Sequence, residues 1–177
     1  MNAASLFGWW QDVLMARFLS WVPGNDALFR LVVRSNLRAA RPIEVPDGFD
    51  ARVREYAATN AEDGEVLLRA LDRHPHFHRG GWIMKLQPRA GAMTLDSDVF
   101  LVKDLTLRRY VHELVHVAQY EELGTVPFVE QYFSSSAREV LRRMARRQPL
   151  DPITASRLEN DAYAIDRRFV EWDRSRS

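Results

Sequence analysis

The stretch that most narrows what this chain can become is His112-Glu113-Leu114-Val115-His116. It reads H-E-x-x-H inside an apolar run that predicts one helix from Leu105 to about Glu122, with Gly124 closing it as a C-terminal cap residue. Two histidines four apart lie on one helical face, a turn from each other, so both imidazoles can meet one metal ion. The glutamate after the first histidine can then reach a water on that ion, the arrangement used by zinc hydrolases. Leu114, Val115, Val117 and Ala118 make the flanks apolar, so the helix has to be wrapped by other elements. The fold must therefore bury a helix with metal-binding side chains and bring a further ligand to it from elsewhere.

Composition limits which ligand that is. The chain has 177 residues, enough for one well-buried domain over 1–177 and short for two. It has no cysteine, so a thiolate ligand, a disulfide and a cysteine nucleophile are all excluded, and any metal must be held by His, Asp or Glu. The net charge of +1 argues against a polyanion partner, and no nucleic acid is expected. At the start of the chain Leu6, Trp9, Trp10, Val13, Leu14, Phe18, Trp21 and Val22 follow helical spacing. Asp12 and Arg17 interrupt the run, which is shorter than the ~20 residues of a spanning helix. No basic segment precedes it, so it makes a poor signal peptide and a cytoplasmic location is expected. The reading for residues 6–22 is a helix packed on the domain; its three tryptophans leave weak contact with a membrane surface as the alternative.

Pro23-Gly24 ends that first helix, and Asn25 or Asp26 can cap a second running to about Arg38. Pro42 to Gly48 reads as a loop, then Asp50 to Thr59 and Ala61 to Arg73 as helices, with Asn60 a possible N-cap of the latter. Trp82 to Gln87 and Met93 to Val102 have strand character, separated by Pro88-Arg89-Ala90-Gly91. Val126 to Arg147 reads as a helix with Pro127 in its first turn. Asp151-Pro152 opens a last helix reaching about Trp172. The fold class expected is α+β: mostly helical, with a small antiparallel sheet beside the H-E-x-x-H helix.

A catalytic zinc keeps three protein ligands, so a third is needed beside His112 and His116. Glu122 stands where a third histidine stands in the longer pattern H-E-x-x-H-x-x-G-x-x-H, but Gln119 replaces the helix-breaking glycine. Six residues beyond His116 on an unbroken helix is roughly 240° further round, which turns Glu122 away. Glu159, in Leu158-Glu159-Asn160-Asp161-Ala162, is the choice. It forms an E-x-x-A element on a later helix and resembles the element that supplies the glutamate ligand in the gluzincin metallopeptidases. Asp161 is the runner-up, two residues away and on another face. Ala162 would let the two helices approach closely. Gluzincins often set an aspartate shortly after the ligand glutamate to orient a histidine. Here Tyr163 stands four residues after Glu159, flanked by Asp161 and Asp166. Tyr163 and Asp161 are thus the candidates for orienting a ligand or stabilising an oxyanion, with a half-buried core role the plainer reading for Tyr163.

The segment Ala92-Met93-Thr94-Leu95-Asp96-Ser97-Asp98-Val99-Phe100-Leu101-Val102, followed by His112-Glu113-Leu114-Val115-His116-Val117-Ala118-Gln119, resembles a bacterial family, the extracellular contractile injection system core domain. That family pairs a T-x-G-x-x-I-x-x strand with H-E-L-x-H-V-x-Q. Thr94, Val99, His112, Glu113, His116 and Gln119 carry the likeness, which covers roughly residues 80 to 125 and the element near Glu159. Asp96 stands where the family has glycine, and one glutamine follows the helix rather than two. The resemblance implies a minimal zincin core over 80–177 and a metallopeptidase-like site; it does not reach residues 1–75, which their own pattern marks as a helical N-terminal part of the same domain.

Two other clusters stand out. His74-Pro75-His76-Phe77-His78 puts three histidines in five residues; the proline and the missing carboxylate favour a solvated loop over a metal site. Arg138, Arg142, Arg143, Arg146 and Arg147 form a basic face, read as a solvated helix end with its cations at the favourable terminus. The function expected is zinc-dependent hydrolysis of a peptide or protein substrate, with Zn²⁺ on His112, His116 and Glu159 and Glu113 as general base. The alternative is a metal-binding or assembly module without turnover, associated with a membrane surface.

Overall fold

A computed structural model describes residues 26–86, 91–132 and 156–176. The fold is α+β, mostly helical, with one small sheet. In chain order the elements are α1 (Asp26–Arg38), β1 (Ala40–Pro42), α2 (Phe49–Ala57), α3 (Ala61–Asp72), β2 (His76–Gly80), α4 (Ile83–Leu86), β3 (Ala92–Leu95), β4 (Asp98–Leu101) and α5 (Leu107–Leu123). A helix α6 follows over 125–132, and α7 (Arg157–Arg174) ends the described chain. The expected helix over residues 6–22, the basic face over 138–147 and the Asp151-Pro152 start lie outside the described residues. Among the described residues no helix is long and apolar enough to cross a membrane.

The sheet has the order β1-β2-β4-β3. The β3–β4 hairpin beside α5 is antiparallel, as is β1 on β2, but β2 runs parallel to β4, so the sheet is mixed where an antiparallel one was expected. The cause is that β2 is built from the histidine cluster expected to be a loop. His76–Gly80 lies between β1 and β4 and is held by backbone pairing on both sides. Phe77 alone goes into the core, so its side chains carry little apolar alternation to announce a strand. The stretch expected as a strand from Trp82 is instead the single turn α4. Gly80 and Gly81, at φ 86° and 100°, turn the chain out of β2. The Ile83 amide then donates to Asn36 Oδ1 at 3.0 Å, and Ile83 and Met84 pack with Phe29 of α1. A short apolar run has no period long enough to separate the two conformations. Met93 to Val102 is two strands, reversed at Asp96-Ser97; Asp96 has φ 62°, a left-handed conformation that aspartate tolerates and glycine adopts freely.

The two faces of the sheet bury different clusters. Phe77, Val99 and Leu101 join Val53, Leu67, Val111, Leu114, Val115, Ala162 and Phe169 from α2, α3, α5 and α7. Leu95 and Phe100 meet Phe29, Tyr120, Phe128 and Leu158 on the other side. Helix α5 is thus enclosed, with Val111, Leu114 and Ala162 fully buried where α5 and α7 lie together. Thr106 caps α5 by accepting from the Arg109 amide, and Gly124 ends it at φ 75°.

Helix α7 is tied down by ionic contacts. Asp63 of α3 is buried, takes two hydrogen bonds from Arg168 at 2.8 and 2.6 Å and one from the Tyr56 hydroxyl at 2.6 Å. Burial would raise the Asp63 pKa, but Arg168 and Tyr56 outweigh it and hold the carboxyl below its usual value. A depressed carboxylate contributes stability above its unfolded pKa, near 4, and loses it as pH falls through the lower folded value. Arg168→Ala is expected to cost about 1–3 kcal/mol at neutral pH, because Asp63 stays buried without its cation. The loss should shrink once the solution is acid enough to protonate Asp63. Urea unfolding at several pH values checks both parts.

Candidate metal centre

Histidines at positions i and i+4 of α5 present Nε2 atoms to the same point. Glu159, in the first turn of α7, brings its carboxylate to that point. His112 Nε2 lies 3.3 Å from Glu159 Oε2 and His116 Nε2 lies 3.5 Å from Oε1. One ligand atom from each of the three lies within 4.8 Å of the other two, and this is the one such group among the described residues. His116 and Glu159 are buried and His112 is mostly so. The cluster sits under the α5–α7 packing, where Ala162 keeps the helices close.

The outer nitrogens of both rings are fixed by acceptors. Asp166 Oδ2 lies 3.1 Å from His112 Nδ1. Gln119 Oε1 lies 2.8 Å from His116 Nδ1, while Gln119 Nε2 donates to the Leu158 carbonyl at 3.1 Å. A carbonyl only accepts, so it sets the glutamine amide with nitrogen toward Leu158 and oxygen toward His116. His116 must then carry its proton on Nδ1, and Asp166 imposes the same on His112. Each Nε2 is left to bind a cation, and the hydrogen-bonded backing raises its basicity.

Electrostatics points the same way. Burial alone would lower the His112 pKa, but hydrogen bonds to Asp166 and Glu159 push it up to about 10. Burial also opposes the charge on His116, and Glu159 again overrides it and raises the pKa. The Glu159 carboxyl, which burial would raise, is instead held well below the usual carboxylate range by the two histidines. The carboxylates thus favour positive charge between the three residues, and a divalent cation answers the same field. The spacing fits one: an imidazole nitrogen and a carboxylate oxygen on a tetrahedral zinc with bonds of about 2.0–2.1 Å lie about 3.4 Å apart.

Around this set, Tyr132 of α6 donates from its hydroxyl to Glu159 Oε1 at 2.8 Å. The Tyr163 ring lies 4.7 Å from that of His112. Glu113 is buried and accepts a hydrogen bond at 2.7 Å from Thr94 Oγ1 on β3. Glu122, set aside on helical geometry, is exposed on the far side of α5 and faces Arg69 at 3.6 Å. Asp161, the runner-up ligand and a candidate for orienting one, is exposed and 3.9 Å from Arg157 on its own helix, outside the cluster. The residue in that position is Asp166, seven after Glu159 and hence almost directly below it on α7, whereas Asp161 is turned by about 200°. The i, i+7 spacing was a readable signal for Asp166. Tyr132 had none, because its approach depends on how α6 folds back on α5, with Phe128 stacked on Tyr120 and Tyr132 stacked on Phe128.

No family model, curated protein or solved structure matches the chain.

Asp166→Ala is expected to weaken zinc binding about 10- to 100-fold, because His112 loses the acceptor that fixes its ring. Competition with a chromogenic chelator measures the change.

Proposed function

We propose that this chain is a zinc-dependent peptidase of gluzincin-like type. The observation that carries the reading is the meeting of His112, His116 and Glu159 at one point, beside a glutamate that is not part of the set. When bound there, zinc would supply a Lewis acid for the scissile carbonyl and lower the pKa of water. His112 and His116 would offer their Nε2 lone pairs to such an ion, because Asp166 and Gln119 occupy their Nδ1 sides. Glu159 would balance part of its charge.

Glu113 is the general base. It follows His112 directly on α5, and Thr94 holds one of its oxygens. It takes the proton of the attacking water and returns it to the leaving amine. The imidazolium–carboxylate geometry alone would also suit a structural ion cluster. Among the described residues the carboxylate of Glu113 is buried and bonded by the Thr94 hydroxyl, with no Lys or Arg paired to it, and that favours catalysis. The resemblance to the injection system core domain, through Thr94, Val99 and the α5 motif, is the second support, and it suggests a peptide or protein substrate. Incubating zinc-loaded protein with an unfolded protein panel tests the reading: cleavage that chelation abolishes and zinc restores is expected.

A further inference from the structure

We propose that Thr94 is the positioning residue for Glu113, fixing which carboxylate oxygen is free to act; this rests on the peptidase reading above. Thr94 lies on β3, paired with Val99 of β4, and its side chain faces α5. Ala92, Val99 and Leu101 on that face pack into the apolar core. A valine would meet the same strand preference and packing, so the hydroxyl is the part of Thr94 that the fold does not require. It is also the part that is used. Thr94 and Glu113 are both buried, at 7% and 5% exposure, and Oγ1 donates to Glu113 Oε2 at 2.7 Å.

A glutamate side chain on a helix has three rotatable bonds, and fixing them in one geometry costs conformational entropy. One donated hydrogen bond from a β-branched residue on a rigid strand removes much of the freedom before substrate arrives. With Oε2 held by Thr94, the other oxygen, Oε1, is the one left to take a proton. The bond also joins the β3–β4 hairpin to the motif helix at the base itself, so the sheet sets the base position as well as the core.

The test compares wild type, T94V and T94S, all zinc-loaded, for kcat and KM on a cleaved peptide and for zinc affinity. High-resolution structures of the zinc-free forms show where the Glu113 carboxylate lies. T94V is expected to lower kcat about ten- to a hundredfold, with KM and zinc affinity unchanged and Glu113 displaced or in more than one rotamer. T94S is expected to restore both rate and position. If T94V does not fold, T94A takes its place. An unchanged kcat and an unmoved Glu113 in an active T94V overturn the proposal and leave the peptidase reading standing. A wild type that binds zinc and cleaves nothing overturns both.

Discussion

Glu113→Gln is expected to leave the zinc content of the chain unchanged and to cut peptide hydrolysis by about a hundredfold or more. The amide has the size and shape of the carboxylate, and Thr94 can still donate to its oxygen. What it lacks is the ability to take a proton. The three atoms that converge come from His112, His116 and Glu159, so the substitution removes no ligand. Loss of turnover with retention of metal separates a base from a ligand, and total zinc and rate must be measured on the same preparations. Hydrolysis that survives in E113Q would place the base elsewhere. Zinc in both forms with cleavage in neither would leave a metal-binding module without turnover.

The second large effect is expected from His116→Ala. Zinc should fall from about one per chain, the content of a single catalytic site, to a trace, and His112→Ala should behave alike. Neither remaining pair of ligands makes a stable site, and Glu159 is left buried beside one histidine instead of two. A ligand bound only to the folded state stabilises by RT ln(1 + [L]/Kd), about 4 kcal/mol at a thousandfold excess over Kd. Wild-type protein should therefore lose thermal stability on chelation and regain it with zinc. H116A should be indifferent to both. A variant with the wild-type response to chelator would mean that any metal sits elsewhere.

The parts of this molecule that could be read from sequence are those set by local geometry. Helix α5 was legible because its apolar flanks repeat over seventeen residues and end at a glycine. The convergence of His112 and His116 follows from their four-residue spacing. Glu122 could be set aside because an unbroken helix turns it away, and the structure places it against Arg69; Glu159 was legible through the likeness of its E-x-x-A element to that of the gluzincins. What was not legible depends on partners distant in the chain. His76–Gly80 became a strand through β1 and β4, not through its own side chains. The apolar turn after Gly81 became helical because Asn36, 47 residues earlier, takes the Ile83 amide. Tyr132 reaches Glu159 because α6 folds back on α5 with Phe128 stacked on Tyr120, a packing that no spacing announces. Asp166 lies between these cases: its helical register with Glu159 is in the sequence, but Asp161 competes for the role there, and it is the packing of α7 on α5 that sets Asp166 against His112 and leaves Asp161 with Arg157.

Zinc K-edge X-ray absorption on the purified chain tests the central claim most directly. Two imidazole nitrogens at about 2.0–2.1 Å and carboxylate or water oxygen at about 2.0–2.2 Å are expected. E113Q should give the same spectrum, and in H116A it should collapse to that of aqueous zinc. A wild-type chain that holds no zinc above trace, or whose spectrum lacks imidazole scattering, would contradict it.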